Sequence, residues 1–286
     1  MSVPVPTAAA SASLASPVDA RSAATRTGAP LAPLRAEWTK LRTLPGTWWL
    51  LVAVVALTAA VGVGADTAAA CPAAGCGQDP AKFALSGVDL SQAVVAILAV
   101  LAISGEYSTG MIRTTLTATP RRLLVLGAKA AVVAGLTLAA GAAGVLAAVL
   151  GGRLILPGRG FTAVHGYPPL SLADGPDLRA AAGSVLYLAL IALLALGVAA
   201  AVRDSAVSIG LALALVYLFP VIASALSPSW SRHLQQIGPM SAGLLIQATG
   251  GLRGLPLAPW QGLGVLALWA AGALIVGGLV LQVRDA

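Results

Sequence analysis

The residues best placed to do chemistry form a short polar island, Gly105-Glu106-Tyr107-Ser108-Thr109-Gly110-Met111-Ile112-Arg113-Thr114-Thr115-Leu116, followed by Thr119-Pro120-Arg121-Arg122. It separates an apolar run at 93–103 from another at 123–150. The chemistry on offer is docking rather than catalysis. Glu106 opens the island and Arg113, Arg121 and Arg122 follow, which gives a partner opposite charges to hold. A carboxylate at Glu106 can cap the N-terminus of a following helix, where amide groups are free. Arg113 comes seven residues later, about two helical turns, so both side chains can share a face. The alternative is a solvated basic loop that serves only topology.

Catalytic patterns are missing around it. The three lysines are Lys40, Lys82 and Lys129. None closes a phosphate-binding Gly-x-x-x-x-Gly-Lys-Ser/Thr loop, since Gly127-Ala128-Lys129-Ala130 lacks both the upstream glycine and the hydroxyl. The chain is therefore not expected to hydrolyse ATP itself. His165 and His233 fall in separate loops, with no Gly-x-Ser-x-Gly elbow and no His-Glu-x-x-His helix. The span interiors read as free of Asp, Glu, Lys and Arg, which disfavours a proton relay or an ion-coupled carrier. Lys129, near the inner end of the third span, is expected to snorkel towards the interface.

The elements that position the island are membrane spans. Of the 286 residues 58% are hydrophobic and 9% charged, and the mean hydropathy is +0.90. A soluble domain carries about 25% charged residues; this chain needs lipid as its main solvent. Six segments approach the ~20 apolar residues that a spanning helix requires, at 48–65, 91–104, 124–150, 182–202, 206–226 and 262–283. The second begins near Val88, with Asp89 at the interface. The short alternating segments of a β-barrel are missing. The fold class is therefore all-α, a polytopic membrane protein. Residues 1–30 are Ala, Ser, Thr and Pro with little else, and read as a disordered cytoplasmic tail; residues 31–286 form one six-span domain.

Net charge is +7. The basic residues sit near span ends, where lipid and orientation rules account for them, and a nucleic-acid partner is not expected. With the N-terminus inside, 11 of the 17 Lys and Arg residues fall on the cytoplasmic side and 6 on the outer side, so both termini are expected in the cytoplasm. Before the first span, Leu34, Trp38 and Leu41 share one helical face, while Arg35, Lys40 and Arg42 fall largely elsewhere; that is an interfacial helix, broken by Pro45-Gly46. Residues 227–261 make a long outer segment. Within it, 237–248 is half apolar and too short to cross. It either dips into the outer leaflet as a re-entrant helix, tolerated only when its ends are buried in protein, or lies on the surface. Cys71 and Cys76, across a Pro/Gly turn in an oxidising space, suggest a small disulfide loop. Two ligands alone do not make a zinc site, and no metal is expected. Small residues mark the third span (Gly135, Gly141, Gly144) and the sixth (Gly272, Gly277, Gly278), either for packing within the chain or for a dimer face.

The sequence from about Leu31 to the C-terminus resembles the permease subunit of a type-2 ATP-binding-cassette (ABC) transporter of the bacterial exporter kind. The resemblance rests on Glu37-Trp38-Thr39-Lys40-Leu41-Arg42-Thr43, on the island, on Pro120-Arg121-Arg122 and on Arg284-Asp285, in that order among six spans. It departs from the family at Met111, where related sequences often carry Thr, and in its long loop between the third and fourth spans. The resemblance implies a bacterial plasma-membrane exporter without its own catalysis, moving a cargo that an all-apolar path suits, an amphipathic drug, a lipid or a peptide. It implies an elbow helix carrying Glu37, Trp38, Lys40 and Arg42. It implies a coupling helix in which Glu106, Tyr107, Thr109, Gly110, Arg113, Arg121 and Arg122 meet an ATP-binding subunit that holds ATP and magnesium. It implies a second permease subunit, met through the first and fifth spans. A non-transporting membrane scaffold or sensor that binds a cytoplasmic partner through the same loop is the competing reading.

Overall fold

A computed structural model describes residues 31–72, 76–108 and 122–283. The tail at 1–30, the centre of the island with Thr109, Gly110, Arg113 and Arg121, and the closing Arg284-Asp285 lie outside the described residues. Those described are helical and contain no strand, and six helices are long and apolar enough to cross a membrane.

Helix α1 (Leu31–Thr43) stops where Leu44 turns extended ahead of Pro45, which opens α2 (Pro45–Ala68); a residue before proline is pushed out of the helical region. A short α3 (Pro80–Ala84) is capped by the Asp79 carboxylate, which accepts from Ala81 N–H. Then come α4 (Val88–Ser108), α5 (Arg122–Ile155) and α6 (Gly175–Val202). Arg203 and Asp204 alone separate α6 from α7 (Ser205–Ala225). Arg203 makes that turn with φ +65°, an unusual backbone for a side-chain-bearing residue. Its guanidinium is anchored on the Val280 carbonyl at 3.2 Å and lies 5.4 Å above the Tyr107 ring. After α7 come α8 (Pro228–Ile237), α9 (Pro239–Gly243) and α10 (Pro259–Val283).

The spans run longer than the apolar windows alone suggest. The fourth begins at Gly175 rather than 182, because helix-end polar residues such as Asp177 and Arg179 extend a helix without entering its apolar middle.

Helix α6 is the axis of the bundle and packs on α4, α5 and α10. Of its most apolar stretch 67% is buried by the rest of the chain, against 22% for α2 and for α7. Among the described residues, the faces of α2 and α7 are thus left largely uncovered by the chain itself. Close approach between α6 and α10 depends on Gly197 and Gly277: a Cβ on Gly197 would fall 2.4 Å from the Ala273 carbonyl carbon, and one on Gly277 2.6 Å from the Gly197 carbonyl oxygen. Gly141, Gly144 and Gly278 likewise face neighbours within the chain, whereas Gly135 and Gly272 face open space.

The bundle has two ends. One carries α1, the end of α4 and the start of α5; the other carries the Cys71–Cys76 disulfide, whose Cα atoms are 5.8 Å apart. After α7 comes α8, none of whose residues is buried. Its last residue, Ile237, accepts from Trp269 Nε1 at 2.8 Å, and the next, Gly238, lies against Phe219 of α7. Trp269 and Phe219 both sit well inside their helices, so the turn reaches the bundle's interior. The chain then returns through α9 and a 3-10 turn, Leu244–Gln247, in which Ile246 is fully buried. Gly238-Pro239 thus ends α8, and residues 239–247 are a short helix followed by a 3-10 turn, with Pro239, Ala242, Gly243, Ile246 and Gln247 buried.

Candidate functional site: a buried ion cluster beside the polar island

Four charged side chains converge at the α1 end. Glu37 comes from α1, Glu106 from the last turns of α4 and Lys129 from α5, and they are only 2%, 8% and 2% exposed. Lys129 Nζ donates to Glu37 Oε2 at 2.5 Å, to Glu106 Oε1 at 3.0 Å and to the Ala102 carbonyl at 2.9 Å. The fourth member, Lys40, is one turn along α1 from Glu37 and more exposed. Its Nζ donates to Glu37 Oε1 at 3.0 Å and to Glu106 Oε1 at 2.8 Å. Among the described residues the cluster holds two ammonium groups and two carboxylates.

Local sequence explains the convergence. Ala102 and Glu106 are four apart on α4 and face one way. On α5, Val125, Leu126, Lys129, Val132 and Val133 are all buried and recur at helical spacing, so Lys129 sits at the centre of an inward stripe. It cannot snorkel. Surrounding it with oxygen acceptors is what makes its burial tolerable, since an unpaired interior charge costs several kcal/mol. Burial acts to lower the Lys40 pKa, but its hydrogen bonds to Glu106 and Glu37 outweigh that and leave it above the ordinary lysine value.

The sequence-derived site residues divide accordingly. Glu106 lies within α4 and its carboxylate pairs with Lys40 and Lys129; the segment whose N-terminus it was expected to cap lies outside the described residues. Tyr107 lies under Arg203. Arg122, the first residue of α5, donates to the Leu281 carbonyl at 2.8 Å, satisfying an otherwise open carbonyl near the end of α10. On α1, Leu34 and Leu41 pack against the core together with the buried Glu37, and Trp38 is 45% exposed. The Arg42 carbonyl accepts from Trp48 Nε1 at 2.9 Å, tying α1 to α2.

The opposite end is held differently. Beside the disulfide, Cys71 N–H donates to the Arg159 carbonyl at 2.9 Å. The Asp79 carboxylate accepts from Thr249 N–H, Thr249 Oγ1 and Gly250 N–H at 2.7, 2.6 and 3.1 Å. Deeper in, Tyr187 O–H donates to Gln92 Oε1, and Gln92 Nε2 donates to the Asp89 carbonyl at 2.9 Å. His165 bonds the Gly160 carbonyl and His233 the Ser229 carbonyl, so the histidines serve their own loops.

One group corrects the sequence reading. Asp66 is fully buried in α2 beside Gly152 of α5, and neither carboxylate oxygen has a hydrogen-bond partner. The apolar window ended at 65, but the helix continues past it and takes Asp66 inside. Among the described residues no three His, Cys, Asp or Glu side chains converge as a metal site would require. Compared with known proteins, the chain matches no family model and no curated protein.

Proposed function

We propose that this chain is the membrane-spanning permease subunit of an ATP-binding-cassette exporter in the bacterial plasma membrane, powered by a separate ATP-binding subunit. The observation that carries the reading is the position of the ion cluster. Residues 109–121 are flanked by Glu106 on one side and by Arg122 and Lys129 on the other. A force applied to that segment enters α4 and α5 at residues locked to each other and, through Glu37 and Lys40, to α1. A partner that closes on the island would thus move three helices together rather than bend one loop.

The same reading gives the other elements their roles. The α1 end faces the cytoplasm, with both termini, on the Lys and Arg distribution. Helix α1 is the elbow, its Leu34 and Leu41 inward and Trp38 towards the interface. The turn from α8 into α9 is the re-entrant segment, its backbone tolerated in the membrane because protein surrounds it. The little-buried faces of α2 and α7 suit a second permease subunit. Docking falls to Arg113 and Arg121, with Glu106 transmitting rather than touching the partner.

The test is co-expression with the ATP-binding subunit of any neighbouring open reading frame that carries a phosphate-binding Gly-x-x-x-x-Gly-Lys-Ser/Thr loop. The wild-type permease should retain that subunit through purification, and Arg113→Glu should release it while leaving the permease itself folded. Failure of the wild type to retain any ATP-binding subunit would return the chain to the scaffold or sensor reading.

A further inference from the structure

The outward face of α1 interleaves basic and aromatic side chains. Arg35, Trp38 and Arg42 are three and four positions apart, so they share one helical face, and all three are exposed. The two arginines are seven residues apart, ~10 Å along the helix at 1.5 Å each. The inward face of the same helix holds the buried Glu37 and Leu41. Just beyond Pro45, Trp48 and Trp49 are exposed as well, and Trp48 is tied back to α1 through the Arg42 carbonyl. Trp38, Leu41, Arg42 and Trp48 line one crevice, together with Leu136 of α5.

We propose that this face binds the headgroups of anionic phospholipids in the leaflet at the α1 end. Charge is the first argument. Neither the Arg35 nor the Arg42 guanidinium takes part in an ion pair among the described residues. The carboxylates described at that end are committed elsewhere: Glu37 and Glu106 to the ion cluster, and Asp204 to the Val207 N–H at the start of α7. The face therefore keeps two guanidinium groups, whose forked donors match phosphate oxygens. Depth is the second argument. The first span opens at Pro45, three residues after Arg42, so the face stands where the chain enters the hydrocarbon and where indoles are favoured. The crevice is the third. Leu41, Leu136 and the two indoles offer apolar contact to the glycerol and first methylenes of a lipid whose phosphate meets Arg42. An acidic protein in water would match the arginines but leave Trp38, Trp48 and Trp49 without an apolar medium.

This surface needs no ATP-binding subunit, so its test uses the full chain alone and stands apart from the proposed transport function. The chain is placed in phosphatidylcholine vesicles containing a trace of phosphatidylglycerol with a photoactivatable group next to its phosphate. After illumination, labelled peptides are mapped. The anionic probe should label residues 35–49 several-fold more than a phosphatidylcholine probe with the group at the same position, and the excess should fall as salt is raised. Arg35→Gln with Arg42→Gln should bring the anionic probe down to the phosphatidylcholine level. Arg35→Lys with Arg42→Lys keeps the charge and should keep most of the excess. Arg159→Gln, at an exposed arginine beside the disulfide, should leave labelling of 35–49 unchanged. Equal labelling by the two probes in the wild type overturns the site outright, with no variant needed, and leaves the face to an acidic protein. An excess that survives the glutamine pair places the headgroups elsewhere. A lysine pair that loses the excess as completely as the glutamine pair would show that charge does not select the lipid.

Discussion

The two ends of the bundle bury carboxylates in opposite ways. At the α1 end, Glu37 and Glu106 are surrounded by two ammonium groups from α1 and α5. At the disulfide end, Asp66 is buried with no partner for either oxygen, and the fastening is done instead by the Cys71–Cys76 bond and by Asp79 holding the 249–250 backbone. A covalent link and hydrogen bonds inside capped loops fix one geometry. A cluster in which one carboxylate oxygen serves two lysines has several near-equivalent pairings, so its helices can shift while the charges stay matched. On the proposed function, the end that takes a partner's push is the one held by exchangeable ion pairs.

That contrast breaks first at Lys129. Lys129→Met leaves Glu37 and Glu106 sharing the half-exposed Lys40, and breaking a buried pair in this way costs about 3–5 kcal/mol. Thermal unfolding in detergent should show a large loss, with part of it recovered when Glu37→Gln is added. A wild-type melting profile for Lys129→Met would mean that the cluster holds nothing.

Asp66 tests the other side with the opposite sign. Replacing an unpartnered buried carboxyl by an apolar group of similar shape should stabilise, by about 1–3 kcal/mol. Asp66→Leu is expected to melt higher than wild type, and a lower melting point would mean that the carboxyl has a partner in the membrane.

The disulfide comes next. Its loop is short, with a sequence separation of 5, and closing so few residues contributes about 2 kcal/mol in the chain-entropy picture. Cys71→Ser with Cys76→Ser should lower stability by that amount and leave the α1 end unchanged, as read by the reactivity of a cysteine placed at Thr43.

Lys40 should give the smallest effect. Its side chain is 27% exposed, so solvent screens the pair, and Lys40→Ala should cost about 1 kcal/mol or less. Because its pKa is raised in the folded chain, its contribution is complete below the unfolded value of about 10.5 and is lost as pH rises through the higher folded value. Stability measured from pH 8 to 10 should not differ in slope between wild type and Lys40→Ala.

Much of this architecture was legible in the residues. Six apolar lengths gave six spanning helices, and Pro45, Asp79 and Asp204 mark helix starts through their backbone and capping chemistry. What escaped was partner-dependent. Lys129 read as a snorkelling side chain because its own helix offers no acceptor; its acceptors are 23 and 92 residues away. The signal was present in the inward stripe from Val125 to Val133, which has Lys129 at its middle. The pairing of Glu106 with Lys40 and Lys129 likewise has no signal in its own helix, since those partners are 66 and 23 residues away. Trp38 was grouped with Leu34 and Leu41 on one apolar face, while Glu37, polar and one position earlier, takes the buried position because Lys129 lies opposite it. The break at Gly238-Pro239 was visible in sequence, but its depth was set by Trp269 and Phe219, which no local pattern connects to it.

The direct measurement of the proposed coupling is the rate of ATP hydrolysis by a co-expressed ATP-binding subunit in vesicles, bound to the wild-type chain and to Glu106→Gln, at equal recovery of the complex. Glu106→Gln keeps the shape of the side chain and removes the charge that joins α4 to both lysines, without altering residues 109–121. If the cluster transmits the push, the variant should assemble normally and lose the permease-dependent part of hydrolysis by about tenfold, a coupling of about 1.4 kcal/mol. Normal assembly with the full wild-type rate would contradict it and leave the cluster as a structural fastening alone.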